Sequence, residues 1–327
     1  MRAGTKTGML RGTGIAVLSL MLLGAPASGE EAEPEQLVNA LNGVFGAHAK
    51  MRAAHTKGIC VKGSFTPTPE AAALSKAPQF AAAVPLVGRF SLGGGNPMAS
   101  DGQKDNVRGI ALHFQLPDGS NSDLLMISAP IFPAKTPEDF LALLTAVASK
   151  DKGKIDAYFK AHPESTRQKT WLTARETPAS YATADYFGVH TFYLTNAKGE
   201  RQGVKWKAEP VGGFVGLSDK DAEGKGSDFY GKELSEAFAK GPVAFNLYAV
   251  LGQPGDQDDD PTLEWPADRK SVKVGVISLT GPEDAATCDA GIFDPNQLAE
   301  GIEPSTNDKI LPMRSLDYAV SFGRRSQ

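Results

Sequence analysis

The chain has 327 residues, a formal net charge of −4 at pH 7, 41% hydrophobic residues and two cysteines, Cys60 and Cys288. An acidic balance of this kind argues against nucleic acid and anionic membrane surfaces as partners, since both draw basic proteins. The length allows one large domain or two small ones, and no tandem repeat is visible.

Residues 1–29 read as a secretory signal. Arg2, Lys6 and Arg11 precede an apolar run from Ile15 to Leu23, and small residues follow, with cleavage after Ala27 or Gly29. The run is too short for a bilayer anchor. Its removal takes three positive charges and moves the net charge from −4 to −7. The expectation is an exported protein, most simply periplasmic, with no membrane anchor. In an oxidising compartment Cys60 and Cys288 can pair, but their spacing does not decide it.

Residues 30–36 are acidic and polar and read as a frayed start. Leu37, Leu41, Val44 and Phe45 then recur at helical spacing. Gly46 to Gly58 (GAHAKMRAAHTKG) places Arg52 three residues before His55 and opens a strand running to Phe65. Taken alone, His55 reads first as a hydrogen-bonded core histidine, and His48 as a loop residue. An Ala/Pro-rich link over 66–85 precedes a strand from Leu86 through Arg89-Phe90-Ser91. Gly93-Gly94-Gly95 lacks the Gly-Lys-Ser/Thr of a phosphate loop and reads as a turn. Ile110, Leu112, Phe114 and Leu116 alternate along one strand face, a turn spans Pro117 to Asp123, and Leu124 to Ser128 returns. Thr136 caps a helix with Pro137 in its first position and Phe140, Leu143, Leu144 and Val147 facing inward.

Residues 150–180 read as polar surface helices. Asp185 to Phe192 (DYFGVHTF) leads into a hairpin through Asn196-Ala197-Lys198-Gly199 to Trp206. Glu233 to Lys240 forms a helix closed by Gly241, and strands cover Val243 to Leu251 and Val272 to Leu279. Asp256, Asp258, Asp259 and Asp260 read as a solvated loop. A calcium site is the alternative, without the glycine and terminal glutamate of an EF-hand. Near the end, GIEPSTNDKILPMRSLDY (Gly301 to Tyr318) sets Arg314 and Tyr318 four residues apart, on one helix face. A guanidinium beside a phenol favours the phenolate, and tyrosinate is an axial ligand for haem iron.

These segments, in this order, resemble the catalases, and among them the short exported catalase-related peroxidases. The resemblance covers residues 45–325 and is most specific over Arg52 to Gly58, Arg89 to Ser91 and Glu303 to Tyr318. It implies an α+β fold, a closed antiparallel eight-stranded β-barrel with surrounding helices and no C-terminal helical domain, making 30–327 a single haem-binding domain. It implies haem b, its iron held by Tyr318 with Arg314 as partner. His55 would be the acid–base residue on the opposite side, oriented by Ser91. Arg52, Arg89 and Arg325 would bind propionates, and Phe140 would lie against the haem plane. His190 reads as structural.

One departure matters. Catalases carry an asparagine three residues before the segment matching Pro130-Ile131-Phe132, and this chain has Ile127 there. An apolar side chain cannot hold a second peroxide by hydrogen bonding. The resemblance therefore implies a peroxidase, reducing hydrogen peroxide or organic hydroperoxides with an electron donor the sequence does not name, with weak or no catalase activity. Two other readings stay open, a non-catalytic exported haem carrier and a haem protein that rearranges fatty-acid hydroperoxides. The partners expected are a peroxide and the donor; a homodimer stays open.

Overall fold

Alternating apolar side chains along eight strands close into a barrel. The computed structural model describes residues 31–327, with Met1 and Gly4, so the secretory reading of 1–29 lies outside the described residues. The strands are β1 (Gly58–Pro67), β2 (Val84–Leu92), β3 (Arg108–Gln115), β4 (Asn121–Ile127), β5 (Thr177–Pro178), β6 (Tyr186–Phe187), β7 (Phe192–Thr195), β8 (Arg201–Pro210), β9 (Gly216–Leu217), β10 (Val243–Leu251), β11 (Ser271–Pro282) and β12 (Ile302–Pro304). Their order is β10-β11-β1-β2-β3-β4-β6-β8, and β8 pairs back onto β10, closing eight strands. β7 and β12 extend the sheet beyond β8, and β5 and β9 make a separate ribbon. Closure abolishes the exposed edges of an open sheet. The wall is thinnest between β4 and β6, joined by the single pair Ile127 and Phe187.

Inside, Phe65, Phe90, Ile110, Leu112, Phe245 and Ile277 are essentially inaccessible and belong to one apolar cluster. Each such side chain contributes roughly 1.5–3 kcal/mol by leaving water. The alternation expected at Ile110, Leu112, Phe114 and Leu116 holds, and all four are buried.

The helices are α1 (Pro34–Phe45), α2 (Pro69–Leu74), α3 (Pro78–Ala81), α4 (Pro137–Ala148), α5 (Lys152–Ala161), α6 (Arg167–Thr173), α7 (Asp219–Gly224), α8 (Tyr230–Lys240), α9 (Ala285–Asp289) and α10 (Ile310–Arg325). Thr136 caps α4 by accepting the Asp139 amide, as its sequence predicts. α1 packs on both α4 and α10, and all three helices line one cavity together with β2, β3 and β4. Among the described residues no helix is long and apolar enough to cross a membrane.

Three expectations are corrected. The start is not frayed. Glu33 and Gln36 form a capping box for α1, and buried Ala32 donates its amide to Glu138 Oε1. The link over 66–85 contains α2 and α3, each begun by a proline at N1, a position where the missing N–H costs nothing. The acidic loop is tied down by its own protein partners. Asp256 accepts both Nε and Nη2 of Arg269 at 2.8 Å, and Asp258 accepts from Tyr193, Ser305 and Asn307. The cysteine question is also decided, since Cys60 and Cys288 form a disulfide across 228 residues of sequence, with Cα atoms 5.9 Å apart.

Candidate active site

Arg52, His55, Arg89, Ser91, Phe140, Arg314, Tyr318 and Arg325 come from four separate stretches of chain. All eight line one cavity of about 390 Å3.

The first wall is assembled from the loop before β1 and the strands beside it. On β2, Leu86, Phe90 and Leu92 enter the main apolar cluster, so alternation turns Arg89 and Ser91 to the opposite face. His55 has a left-handed backbone, φ 53°, a conformation that costs a non-glycine residue on the order of 1–3 kcal/mol and persists only where its surroundings enforce it. Arg89 supplies the enforcement. Its Nη1 donates to the His55 carbonyl at 2.7 Å and its Nη2 to the Thr56 carbonyl at 3.0 Å. His55 Nδ1 lies 2.9 Å from Ser91 Oγ. Two glycines make room. A Cβ at Gly109 would stand 2.8 Å from Ser91 Oγ and 3.0 Å from the His55 ring, and one at Gly58 would meet the Arg89 guanidinium at 2.6 Å.

His55 lies deep in the protein yet faces the cavity. Burial, then the charges of Arg89, Arg314 and Arg52, pull its pKa down to about 4. At neutral pH it is an uncharged imidazole, able to accept a proton. Ile127 ends β4 opposite Gly109, so its methyl groups, in place of an amide, line the cavity near this imidazole. Ser128 offers no substitute, because it is buried beside Arg108, accepting that residue's amide at 2.9 Å, and does not line this cavity. Phe140, on α4, lines the cavity with its ring against Phe132, centroids 5.1 Å apart.

The second wall is a single helix. On α10, Arg314 Nε and Nη2 both donate to the Tyr318 hydroxyl oxygen, at 3.0 and 2.7 Å, as the four-residue spacing predicts. Asp308 anchors the helix start, accepting the Ile310 and Leu311 amides at 2.9 and 3.0 Å. Its other oxygen takes His190 Nδ1 at 2.6 Å. Burial holds the pKa of His190 below its ordinary value, the Arg314 charge adding to this while Asp308 opposes it. His190 is therefore a neutral donor locked onto the carboxylate that caps the Tyr318 helix. Asp317, beside Tyr318, also lines the cavity with an unpartnered Oδ1, and burial pushes its pKa up to about 7 against the pull of Arg314.

At the corner where the walls meet, Arg52, Arg89 and Arg325 converge. Burial and the charges of the other two draw Arg89 down to about 10, with Asp289 opposing. Arg325 sits at about 10 through burial and Arg52, again against Asp289. Both Arg52 and Arg325 bind Asp289, the one carboxylate reaching this corner among the described residues. The corner thus holds an excess of two positive charges.

Residues 41–325 match the catalase family. The chain belongs to it. It is 36% identical to a catalase-related peroxidase of Synechococcus elongatus over 96% of this chain and 94% of that protein. It is likewise 36% identical to a catalase-related peroxidase of Mycolicibacterium paratuberculosis, over 90% of this chain and 95% of the relative. A crystal structure of a fungal catalase superposes with a TM-score of 0.75 at 21% identity, covering 85% of this chain and 60% of the catalase. The catalase-like barrel expected from the sequence is confirmed, and the chain is a peroxidase of this family.

Membership implies a haem cofactor, and the residues present fit one. Haem carries two propionates, matching the two uncompensated charges at the arginine corner, where Arg325 Nε also lacks a partner. The remaining lining, including Val38, Leu41, Phe45, Phe140, Leu144 and Met313, suits a porphyrin face. A phenol gripped by a guanidinium is an oxygen donor suited to ferric iron. Sequence alone does not assign the His190–Asp308 pair to this site, nor Asp317 and Asp289. Asp308 stands within the Gly301 to Tyr318 stretch and His190 within DYFGVHTF, so both are visible as residues but not as a pair.

Proposed function

We propose that the chain binds haem b and reduces hydrogen peroxide or organic hydroperoxides with an external one-electron donor, with little dismutation of hydrogen peroxide. In balance, ROOH and two donor molecules AH give ROH, water and two A radicals. When bound, haem supplies the redox centre that accepts the oxidising equivalents of the peroxide. Tyr318 would ligate its iron, Arg314 would hold that oxygen in place, Arg52, Arg89 and Arg325 would take the propionates, and Phe140 would pack on the ring.

The protein's own part is proton handling. With Nδ1–H directed at Ser91, His55 keeps its other ring nitrogen as an acceptor. That nitrogen takes the proton from the hydroperoxide oxygen and returns it to the departing oxygen, as base and then acid. Its low pKa keeps it in the accepting form, and Arg89 holds its backbone so that the imidazole does not swing. The observation that carries the reading is this neutral imidazole, its ring held by Ser91 and its backbone by Arg89, sharing one cavity with a guanidinium-gripped phenol. Ile127 supports the preference for peroxidase over catalase turnover, since no amide stands in its place to orient a second peroxide.

The N-terminal pattern of residues 1–29 and the buried Cys60–Cys288 bridge support export to an oxidising compartment such as a periplasm. The deciding experiment follows oxygen release from hydrogen peroxide beside oxidation of a dye donor, on the haem-loaded protein. Dye oxidation should dominate; dominant oxygen evolution refutes the reading.

A further inference from the structure

The arginine corner is held from outside by a segment the proton chemistry does not use. α9 sits within the long connection between β11 and β12, a length of chain that tends to be mobile unless fixed. Here it is fixed by a covalent bond. Cys288, one residue before Asp289, is joined to Cys60 on β1, and the two sulfurs pack with Phe293 in a small cluster on the barrel wall.

Just beyond the bridge the chain presents a strip of acceptors. Arg52 Nη2 donates to the Cys288 carbonyl at 2.7 Å, Arg52 and Arg325 both bind the Asp289 carboxylate, and Arg325 Nη2 donates to the Gly291 carbonyl at 2.7 Å. The two arginines come from opposite ends of the sequence, and their charges repel each other. The Asp289 side chain is 54% exposed, and an ion pair that wet holds its partners weakly by itself. What gives the strip a fixed position is the bridge behind it.

We propose that the Cys60–Cys288 bridge and Asp289 form a clasp that holds Arg52 and Arg325 ready for the two carboxylates of haem, which makes Asp289 a positioning residue for cofactor recognition. The clasp rests on the haem reading above and goes beyond it by assigning a role to the disulfide. Cys60 and Cys288 are 5% and 3% exposed, out of reach of an attacking thiolate, so the clasp is a permanent fixture of the fold and not a reversible thiol switch. Pre-set guanidinium groups lose less freedom when the carboxylates arrive, which is how pre-organisation raises affinity.

The test titrates the apoprotein, by the Soret band, with haemin and with haemin dimethyl ester, which lacks both negative charges. The forms compared are wild type, the double variant Cys60→Ala/Cys288→Ala and the variant Asp289→Asn. The double variant should lose about tenfold in haemin affinity and less than twofold for the ester. Asp289→Asn, which keeps an acceptor but loses the charge, should lose about threefold for haemin only, since solvent screens the repulsion between Asp289 and a propionate more than its direct contacts. Equal losses for both porphyrins, unchanged haemin affinity, or a tighter haemin complex in Asp289→Asn overturn the clasp. A double variant without a folded circular dichroism spectrum also overturns it for the bridge, which then serves the barrel, while Asp289→Asn still tests the carboxylate. Wild type that binds neither porphyrin overturns the haem reading instead.

Discussion

The two walls of the cavity are made in opposite ways. The Tyr318 wall is one helix, and its decisive contact joins residues four apart on α10. The His55 wall is a junction, where a loop with a left-handed histidine is held by an arginine and a serine from β2 and backed by a glycine from β3. A helical pair is close to preset once the helix forms, whereas a junction is only as accurate as the packing of every piece that meets there. A change on the helix wall should therefore act through the altered side chain alone, and a change in one piece of the junction should displace the other pieces that meet it.

The widest separation between the walls comes from removing their principal side chains. Tyr318→Phe should abolish stable haem retention, seen as loss of the Soret band on gel filtration. His55→Ala should keep the haem yet lower peroxidase kcat/KM by about 10²–10⁴-fold, the usual worth of a positioned acid–base group. Haem retention untouched in Tyr318→Phe would remove the proposed ligand.

Next in size is a change that touches no functional group. Gly109→Ala places a methyl 3.0 Å from the His55 ring and 2.8 Å from Ser91 Oγ, so the imidazole has to shift. A displacement near 1 Å costs on the order of 10²-fold in rate. Haem affinity should hold while kcat falls, because the helix wall does not feel the change. A glycine-to-alanine change at Gly323 on α10, where a Cβ meets nothing within 4 Å, is the matched control and should leave kcat unaltered.

The walls also differ in how protons affect them in the apoprotein. The His55 pKa of about 4 lies below its ordinary 6.5. Over that window the unfolded chain binds more protons, so this group's contribution to stability falls as pH drops. Asp317 has the reverse sign. Its pKa of about 7 lies above the ordinary 3.8, the native state binds more protons across that range, and its contribution is lost as pH rises. The two slopes oppose each other between about pH 4 and 6.5. Relative to wild type, the urea midpoint of His55→Gln should therefore fall with rising pH in this range, and that of Asp317→Asn should rise. Parallel profiles in the two variants would contradict the assignments.

The smallest expected effect sharpens the junction alone. Ile127→Asn adds an amide near His55 and should raise oxygen release from hydrogen peroxide severalfold relative to dye oxidation, with haem binding unchanged. No change in that ratio would mean that Ile127 does not set the balance.

Much of the cavity is legible in the amino-acid order. Local spacing carries the Arg314–Tyr318 contact, the Thr136 cap and the strand alternation at Ile110 to Leu116, because each depends on residues within a few positions of one another. Ordered resemblance to catalases carries His55, Ser91, the arginines and Phe140 into a shared site, and all of them line the cavity. The folded start at Ala32 to Gln36 reads as frayed because its stabilising partner, Glu138, lies about a hundred residues away. The His190–Asp308 lock, the Asp289 strip and the Cys60–Cys288 bridge escape the sequence for a related reason. Each joins residues between 36 and 237 positions apart, and composition and periodicity carry no distance information on that scale.

The amino-acid order alone thus determined the local contacts, Arg314 with Tyr318 among them, since helix and strand periods set how neighbours face, and its resemblance to the catalases pointed to the other residues that line the cavity. Tertiary structure decided their electrical and mechanical state. The low proton affinity of His55, the unbalanced charge at the arginine corner and the tethering of α9 arise only when distant segments exclude water together and press like charges side by side.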